Sequence, residues 1–216
     1  FAVPTGNFGN ILAAWAARKM GLPIRHLCVG SNRNDILTRF LNANDMTMKS
    51  VMPSLSPSMD IQVSSNFERL LFELLGRDAE ACARIMTSFR ATGHMDVPAE
   101  AWETARSLFS GLALDDAATE AEIKGLHDRS GYLADPHSAI GIAAGRRFRE
   151  AGVPMVAMAT AHPAKFPDAM VAATGIRPAL PVHLADLYSR EERYRTVPAT
   201  ADAVKDAVRA AVLSNA

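Results

Sequence analysis

Cysteine is scarce in this chain: Cys28 and Cys82 are the only two. Cys28 lies in an apolar, strand-like run and Cys82 in a helical stretch, which reads as two buried thiols in a reducing compartment and argues against a disulfide. Net charge is also lacking, since 23 Lys and Arg balance 23 Asp and Glu. No broad basic field is available for nucleic acid, which is excluded as a partner. The apolar runs fall short of the ~18 to 20 residues that cross a bilayer, and no charged-then-apolar leader opens the chain. These absences give the expectation of a soluble, cytoplasmic protein with no membrane partner. The histidines His26, His94, His127, His137, His162 and His183 show no paired metal-ligand spacing, so no metal site is expected. A Gly-x-Ser-x-Gly elbow, a Walker loop and a full Gly-x-Gly-x-x-Gly fingerprint are absent as well. Their absence argues against a hydrolase elbow, nucleoside triphosphates and NAD.

What is present is enough apolar sequence for a large core, 49% of 216 residues, in one domain or two. Phe1 to Pro4 reads as the end of a buried strand and Ile11 to Met20 as a helix, with Gly6-Asn7-Phe8-Gly9-Asn10 between them. Glycines at both ends of such a turn remove the Cβ atoms that would block a close anion and permit positive φ. Successive N–H groups can then converge on one phosphate in front of a helix N-terminus. The competing reading is an ordinary strand-to-helix turn capped by Asn7 or Asn10.

Ile24 to Val29 predicts a second strand, followed after Gly30 by a helix through Ile36, Leu37, Phe40 and Leu41 with Asn34 or Asp35 as its cap. Strand-helix repetition predicts an α/β fold with an open, twisted parallel sheet flanked by helices. Lys49 to Asp60 is a loop with Pro53 and Pro57. Beyond it, helices are predicted from Asn66 or Ser65 to Gly76, at about Ala79 to Ala91, Pro98 to Phe109 and Ala118 to Asp128. With no strand alternation there, residues 66–130 are expected to form a helical insertion beside the sheet. Asp135-Pro136 opens a further helix running to Glu150, and Met155 to Ala159 predicts a strand buried on both faces. His183 to Tyr188 reads as a short edge segment and Thr200 to Leu213 as a terminal helix.

Ligands of open parallel sheets sit outside the carboxyl ends of the strands. The segments expected there are Gly6 to Asn10, Ser31 to Asp35 and Thr160 to Pro163. They suit an anionic ligand with a polar ring. Taken singly, His162 reads as a structural imidazole, Lys165 equally as a solvated lysine, and Thr160 as a β-branched strand end.

Together, Val3-Pro4-Thr5-Gly6-Asn7-Phe8-Gly9-Asn10, Ser54 to Ile61 with Ser64-Ser65-Asn66-Phe67-Glu68-Arg69, Asp135-Pro136-His137-Ser138-Ala139, and Ala159-Thr160-Ala161-His162-Pro163-Ala164-Lys165-Phe166 resemble threonine synthase over essentially the whole chain. The resemblance implies a fold-type II pyridoxal 5'-phosphate (PLP) enzyme of the tryptophan synthase β family. Such an enzyme converts O-phospho-L-homoserine and water to L-threonine and phosphate. It implies that Gly6, Asn7, Phe8, Gly9 and Asn10 hold the cofactor phosphate and that Thr160 offers its hydroxyl to the pyridine nitrogen. Asp60, Asn66 and Lys165 are implied as contacts to substrate or to the site wall. The family's Schiff-base lysine lies in a Ser/Ala-Phe-Lys-Asp type motif, and none of Lys19, Lys49, Lys124, Lys165 and Lys205 stands in one. The expectation is therefore a C-terminal portion of the catalytic domain, inactive alone, with the lysine and the small domain upstream of Phe1. A threonine dehydratase, a cysteine synthase-like enzyme and a non-catalytic phosphate-ligand binding module are the alternatives.

Overall fold

A computed structural model describes residues 1–213. They divide into two compact units, the first 1–179 and the second beginning at Leu180. In the first, three parallel strands lie side by side in chain order: β1 (Ala2–Pro4), β2 (Leu27–Ser31) and β3 (Phe109–Ala113). Val3 pairs with Val29, which in turn pairs with Gly111.

Alternation along the strands divides the side chains between two layers. Val3, Leu27, Val29 and Phe109 enter one large apolar cluster with Ile11, Phe40 and Phe67. These last come from α1 (Gly9–Lys19), α2 (Ile36–Ala43) and α3 (Phe67–Leu74). Ala2 and Cys28 point the other way, against Ala144 of α7 (Pro136–Phe148). Small residues bring α7 unusually near the sheet. A Cβ on Gly141 would stand 2.8 Å from Pro4 Cδ, and one on Gly30 would stand 3.0 Å from Ile140 Cγ2. Covering on both faces is what a parallel sheet requires. It leaves Cys28 fully buried, with its thiol pushed up to about 11 by desolvation, and both cysteines free.

Several sequence expectations shift. The second strand begins at Leu27 rather than Ile24, because Pro23 and the turn that ends α1 hold residues 22–25 away from the neighbouring strand, and His26 is the first to bond across, accepting from Phe1 N. The middle region is not purely helical. Between α4 (Ala79–Thr92) with α5 (Ala99–Leu108) and α6 (Asp116–Ser130) lies β3, which pairs with β2. The short run Phe109-Ser110-Gly111-Leu112-Ala113 lacks β-branched residues, so propensity gave no sign of it. Met155 to Ala159 forms only a single parallel bridge, Ala2 to Ala157, with Val156 and Met158 exposed; it is an edge segment, not a strand buried on both faces.

Asp135 accepts from the N–H groups of His137 and Ser138, as a cap before Pro136 should. α8 (Pro167–Thr174) packs beside α6 and buries Met170 with Ile123. In the second unit, the expected edge segment at His183 to Tyr188 is instead two 3-10 turns, Val182–Leu184 and Leu187–Ser189, followed by α9 (Ala201–Leu213). No helix among the described residues is long and apolar enough to cross a membrane.

Candidate functional site

At the carboxyl end of β1 a cavity of about 290 Å³ is lined by Gly6 to Asn10, Ser58, Met59, His137, Thr160 and Lys165, among others. Its floor is the glycine loop. The N-cap of α1 is Phe8, at φ 63°, and neither Asn7 nor Asn10 caps the helix with its side chain. Gly6 and Gly9 both avoid positive φ, so the left-handed residue the turn needs is the phenylalanine. Left-handed backbone costs a non-glycine residue about 1 to 2 kcal/mol. The ring offsets this: it is buried, edge-on to Phe67 at 5.7 Å and 84° and 5.8 Å from Phe109. Burial of a phenylalanine contributes about 1.5 to 3 kcal/mol and each aromatic pair about 0.5 to 1.5 more. The core thus holds the loop in its strained shape.

That shape leaves the donors open. The N–H of Thr5 still pairs with Gly30 and that of Leu12 with Phe8, but the N–H groups of Gly6 through Ile11 meet no acceptor among the described residues. Two glycines serve different purposes. A Cβ on Gly6 would stand 2.7 Å from Ser58 O, so the 58–59 backbone can close over it only because it has none. A Cβ on Gly9 would meet only Asn66 Nδ2, at 3.6 Å. Packing does not demand glycine there; open space above the helix N-terminus does.

The loop is braced from behind by the Ser64 to Asn66 segment. Ser64 Oγ donates to Gly6 O at 2.9 Å, Asn66 Nδ2 to Asn7 O at 2.8 Å, and Asn66 N to the same carbonyl at 3.0 Å. Asn66 Oδ1 accepts from Arg69. Asp60 lies outside the cavity lining and is turned into its own loop. It accepts from Asn32 Nδ2 at 2.7 Å, Asn34 Nδ2 at 2.9 Å, and Ser54 N and Oγ. Asp60 thereby ties the expected second segment, Ser31 to Asp35, to the serine-rich loop that supplies Ser58 and Met59.

Thr160 and Lys165 are exposed on the cavity's other wall. Thr160 N donates to Ser138 Oγ at 3.2 Å, while its own hydroxyl has no protein partner among the described residues. Lys165 Nζ lies 5.7 Å from the Phe166 ring centre. His162 stands outside the lining and is structural, accepting from Ala164 N at 3.1 Å.

Sequence reasoning missed His137 as a site residue. It is 4% exposed, lines the cavity and donates from Nδ1 to Asp135 Oδ1 at 3.0 Å. Burial alone would raise the Asp135 carboxyl, but hydrogen bonds from His137 and Ser138 outweigh it and hold the group below the ordinary carboxylate range. The motif Asp135-Pro136-His137-Ser138 carried the signal. A helix cap whose second residue is an imidazole puts that ring at the helix mouth. Among the described residues no group of three or more His, Cys, Asp or Glu is placed to hold a metal. The arrangement can bind the oxygens of an anion through backbone N–H groups while presenting a hydroxyl, an imidazole and an ammonium to the rest of the ligand.

A family model described as "Threonine synthase, C-terminal" matches residues 138–208. Threonine synthase of Pseudomonas aeruginosa is 52% identical over 200 residues, 92% of this chain and 43% of that protein. Among solved structures, PLP-bound threonine synthase from Brucella melitensis has a TM-score of 0.90 at 46% identity, covering 97% of this chain and 45% of its own. The yeast threonine synthase structure has a TM-score of 0.86 at 33% identity, covering 99% and 47%. The chain spans less than half the length of these relatives.

Proposed function

We propose, from the premise that this chain belongs to the threonine synthase family, that its 216 residues are the C-terminal part of a PLP-dependent catalytic domain. The whole enzyme would act in the cytoplasm on O-phospho-L-homoserine, forming L-threonine and phosphate. The observation that carries the reading is the unbroken run of open N–H donors from Gly6 to Ile11, of which Gly6 to Asn10 line the same cavity as Thr160 with its unpartnered hydroxyl. A cofactor with a phosphate at one end and a pyridine nitrogen at the other fits that pair.

When bound, PLP supplies an electron sink for negative charge beside the substrate's amino-bearing carbon. The chain's residues supply placement. The N–H groups of the Gly6 to Asn10 loop bind the phosphate, and the α1 N-terminus behind them adds its partial positive charge. The Thr160 hydroxyl orients the ring through its nitrogen without the full charge a carboxylate would bring. Lys165 contacts the substrate, and Asp60 and Asn66 hold the site wall through the bonds described above. None of Lys19, Lys49, Lys124, Lys165 and Lys205 carries the cofactor.

Relatives named threonine synthase support this reading over a threonine dehydratase, a cysteine synthase-like enzyme or a binding module. The test is to supply the full-length protein with PLP and either O-phospho-L-homoserine or threonine, following threonine and phosphate release. Borohydride reduction and peptide mapping then locate the cofactor lysine. Formation of threonine, with a label outside the five lysines, is expected. Turnover of threonine instead, or a stoichiometric label on one of them, overturns the proposal.

A further inference from the structure

His137 Nε2 is one of the few buried polar side-chain atoms without a hydrogen-bond partner among the described residues. Leaving such a group desolvated and unpaired costs about 1 to 3 kcal/mol. Its position explains where a partner would come from. Helix α7 runs antiparallel to β1, with Gly145 set against Ala2 and Gly141 against Pro4. Four helical residues rise about 6 Å, and two strand residues about 6.6 Å. The next step therefore sets His137 beside Gly6, at the glycine loop. Its Nδ1 side is closed by Asp135 and its face by Phe166, whose ring centre is 4.9 Å away. The Asp135 carboxylate is an acceptor only, so Nδ1 carries a proton and Nε2, itself enclosed, is the ring nitrogen left without a partner.

We propose that His137 is a ligand-contacting residue whose Nε2–H donates to an oxygen of the anionic group held by the Gly6 to Asn10 loop. This rests on the phosphate-cofactor reading above. An ionised phosphate oxygen offers only acceptors, so a bond from Nε2 to it needs a proton there in addition to the one Asp135 holds on Nδ1. Asp135 fixes the ring and balances its charge. The same carboxylate accepts from Ser138 Oγ, which receives the Thr160 N–H, so one buried acid sets both the imidazole and the Thr160 wall.

Few charges face this ring. Lys165 approaches from the 163–165 turn. From the loop at 54–60 the titratable group is Asp60, committed to Asn32, Asn34 and Ser54. From α6, Glu122 is paired with Arg146 at the far end of α7. The glycine loop and the sheet contribute only non-titrating residues at this end, His26 being bonded to Ser110 at the other.

The experiment is calorimetric titration of the full-length protein with inorganic phosphate and with PLP, alongside ligand-free thermal unfolding. His137→Asn keeps an amide where Nδ1 meets Asp135 and has nothing at Nε2. It should fold as the wild type does and bind both probes about tenfold to hundredfold more weakly, the range for one bond to a charged group. His137→Gln places an amide N–H near Nε2, so it should retain most of the affinity. Wild-type affinity in His137→Asn, or equal loss in both variants, overturns the contact. If the wild type binds phosphate but not PLP, the cofactor reading falls while the phosphate arm still decides the His137 contact. If it binds neither, both fall.

Discussion

Replacing Gly9 with valine separates a phosphate cradle from a mere helix-start turn. Gly9 is the first residue of α1, its φ is not positive, and a Cβ there would meet only Asn66 Nδ2 at 3.6 Å. Backbone strain is therefore not the obstacle, even though glycine-bracketed turns generally suggest it. Glycine and valine in a helix differ by less than about 0.5 kcal/mol. At roughly 2 to 4 °C per kcal/mol for a protein of this size, the melting temperature should shift by less than about 2 °C. The isopropyl group would occupy the open space above the Gly9 to Ile11 donors. Losing one charge-assisted bond costs about 1.5 to 3 kcal/mol, so phosphate and PLP affinity should fall about tenfold to hundredfold. Gly6→Ala is the contrast. Its Cβ would stand 2.7 Å from Ser58 O, a backbone clash of the kind that costs about 1 to 3 kcal/mol, and its melting temperature should drop by several degrees. Calorimetric titration and thermal unfolding of full-length variants read both quantities. Unchanged anion affinity in Gly9→Val, or a loss fully accounted for by unfolding, would refute the cradle.

Three further outcomes follow from the same geometry. Thr160→Val should leave stability unchanged, because the side chain is exposed and bonds to no described residue, while PLP affinity or turnover falls by about 1 to 3 kcal/mol; titration and steady-state rates of the full-length enzyme check both. Asp135 has a depressed folded-state pKa. Its contribution to stability is thus complete above the unfolded carboxylate value of about 3.9 and lost as pH falls through the folded one. Urea unfolding of Asp135→Asn should show lower stability than wild type at neutral pH and a gap that narrows in acid. Asp45, held at about 2 chiefly by its hydrogen bond from Arg39, obeys the same sign. As a partly exposed pair it should cost less than about 1 kcal/mol when changed to Asn, an effect that shrinks below the unfolded value of about 3.9 and disappears only once the pH is below the folded one.

Much of the site was legible because its chemistry is local in sequence. The run from Thr5 to Asn10, the Asp135-Pro136 cap and the Thr160 turn each declare a strand end or helix start through glycine, proline and short polar residues. What brings them together is not local. Gly141 and Gly145, inside a helix read only from its cap and its apolar spacing, are where α7 meets Pro4 and Ala2. Strand β3 hid among helices because its burial comes from pairing with β2 and covering by α2 and α7, not from its own composition. Met155 to Ala159 misled for the opposite reason. Its apolar run predicted two covered faces, and only a bridge to Ala2 is made. Phe8 held the left-handed position because core burial outweighs local preference, a balance no short-range rule contains.

Everything proposed for this site depends on the open donors at the start of α1 holding a cofactor phosphate. A crystal structure of the full-length protein grown with PLP tests it most directly. Phosphate oxygens are expected within about 3 Å of N–H groups in the Gly6 to Ile11 run, with the ring nitrogen at the Thr160 hydroxyl. PLP bound with its phosphate elsewhere, or those N–H groups turned to other acceptors, would contradict it.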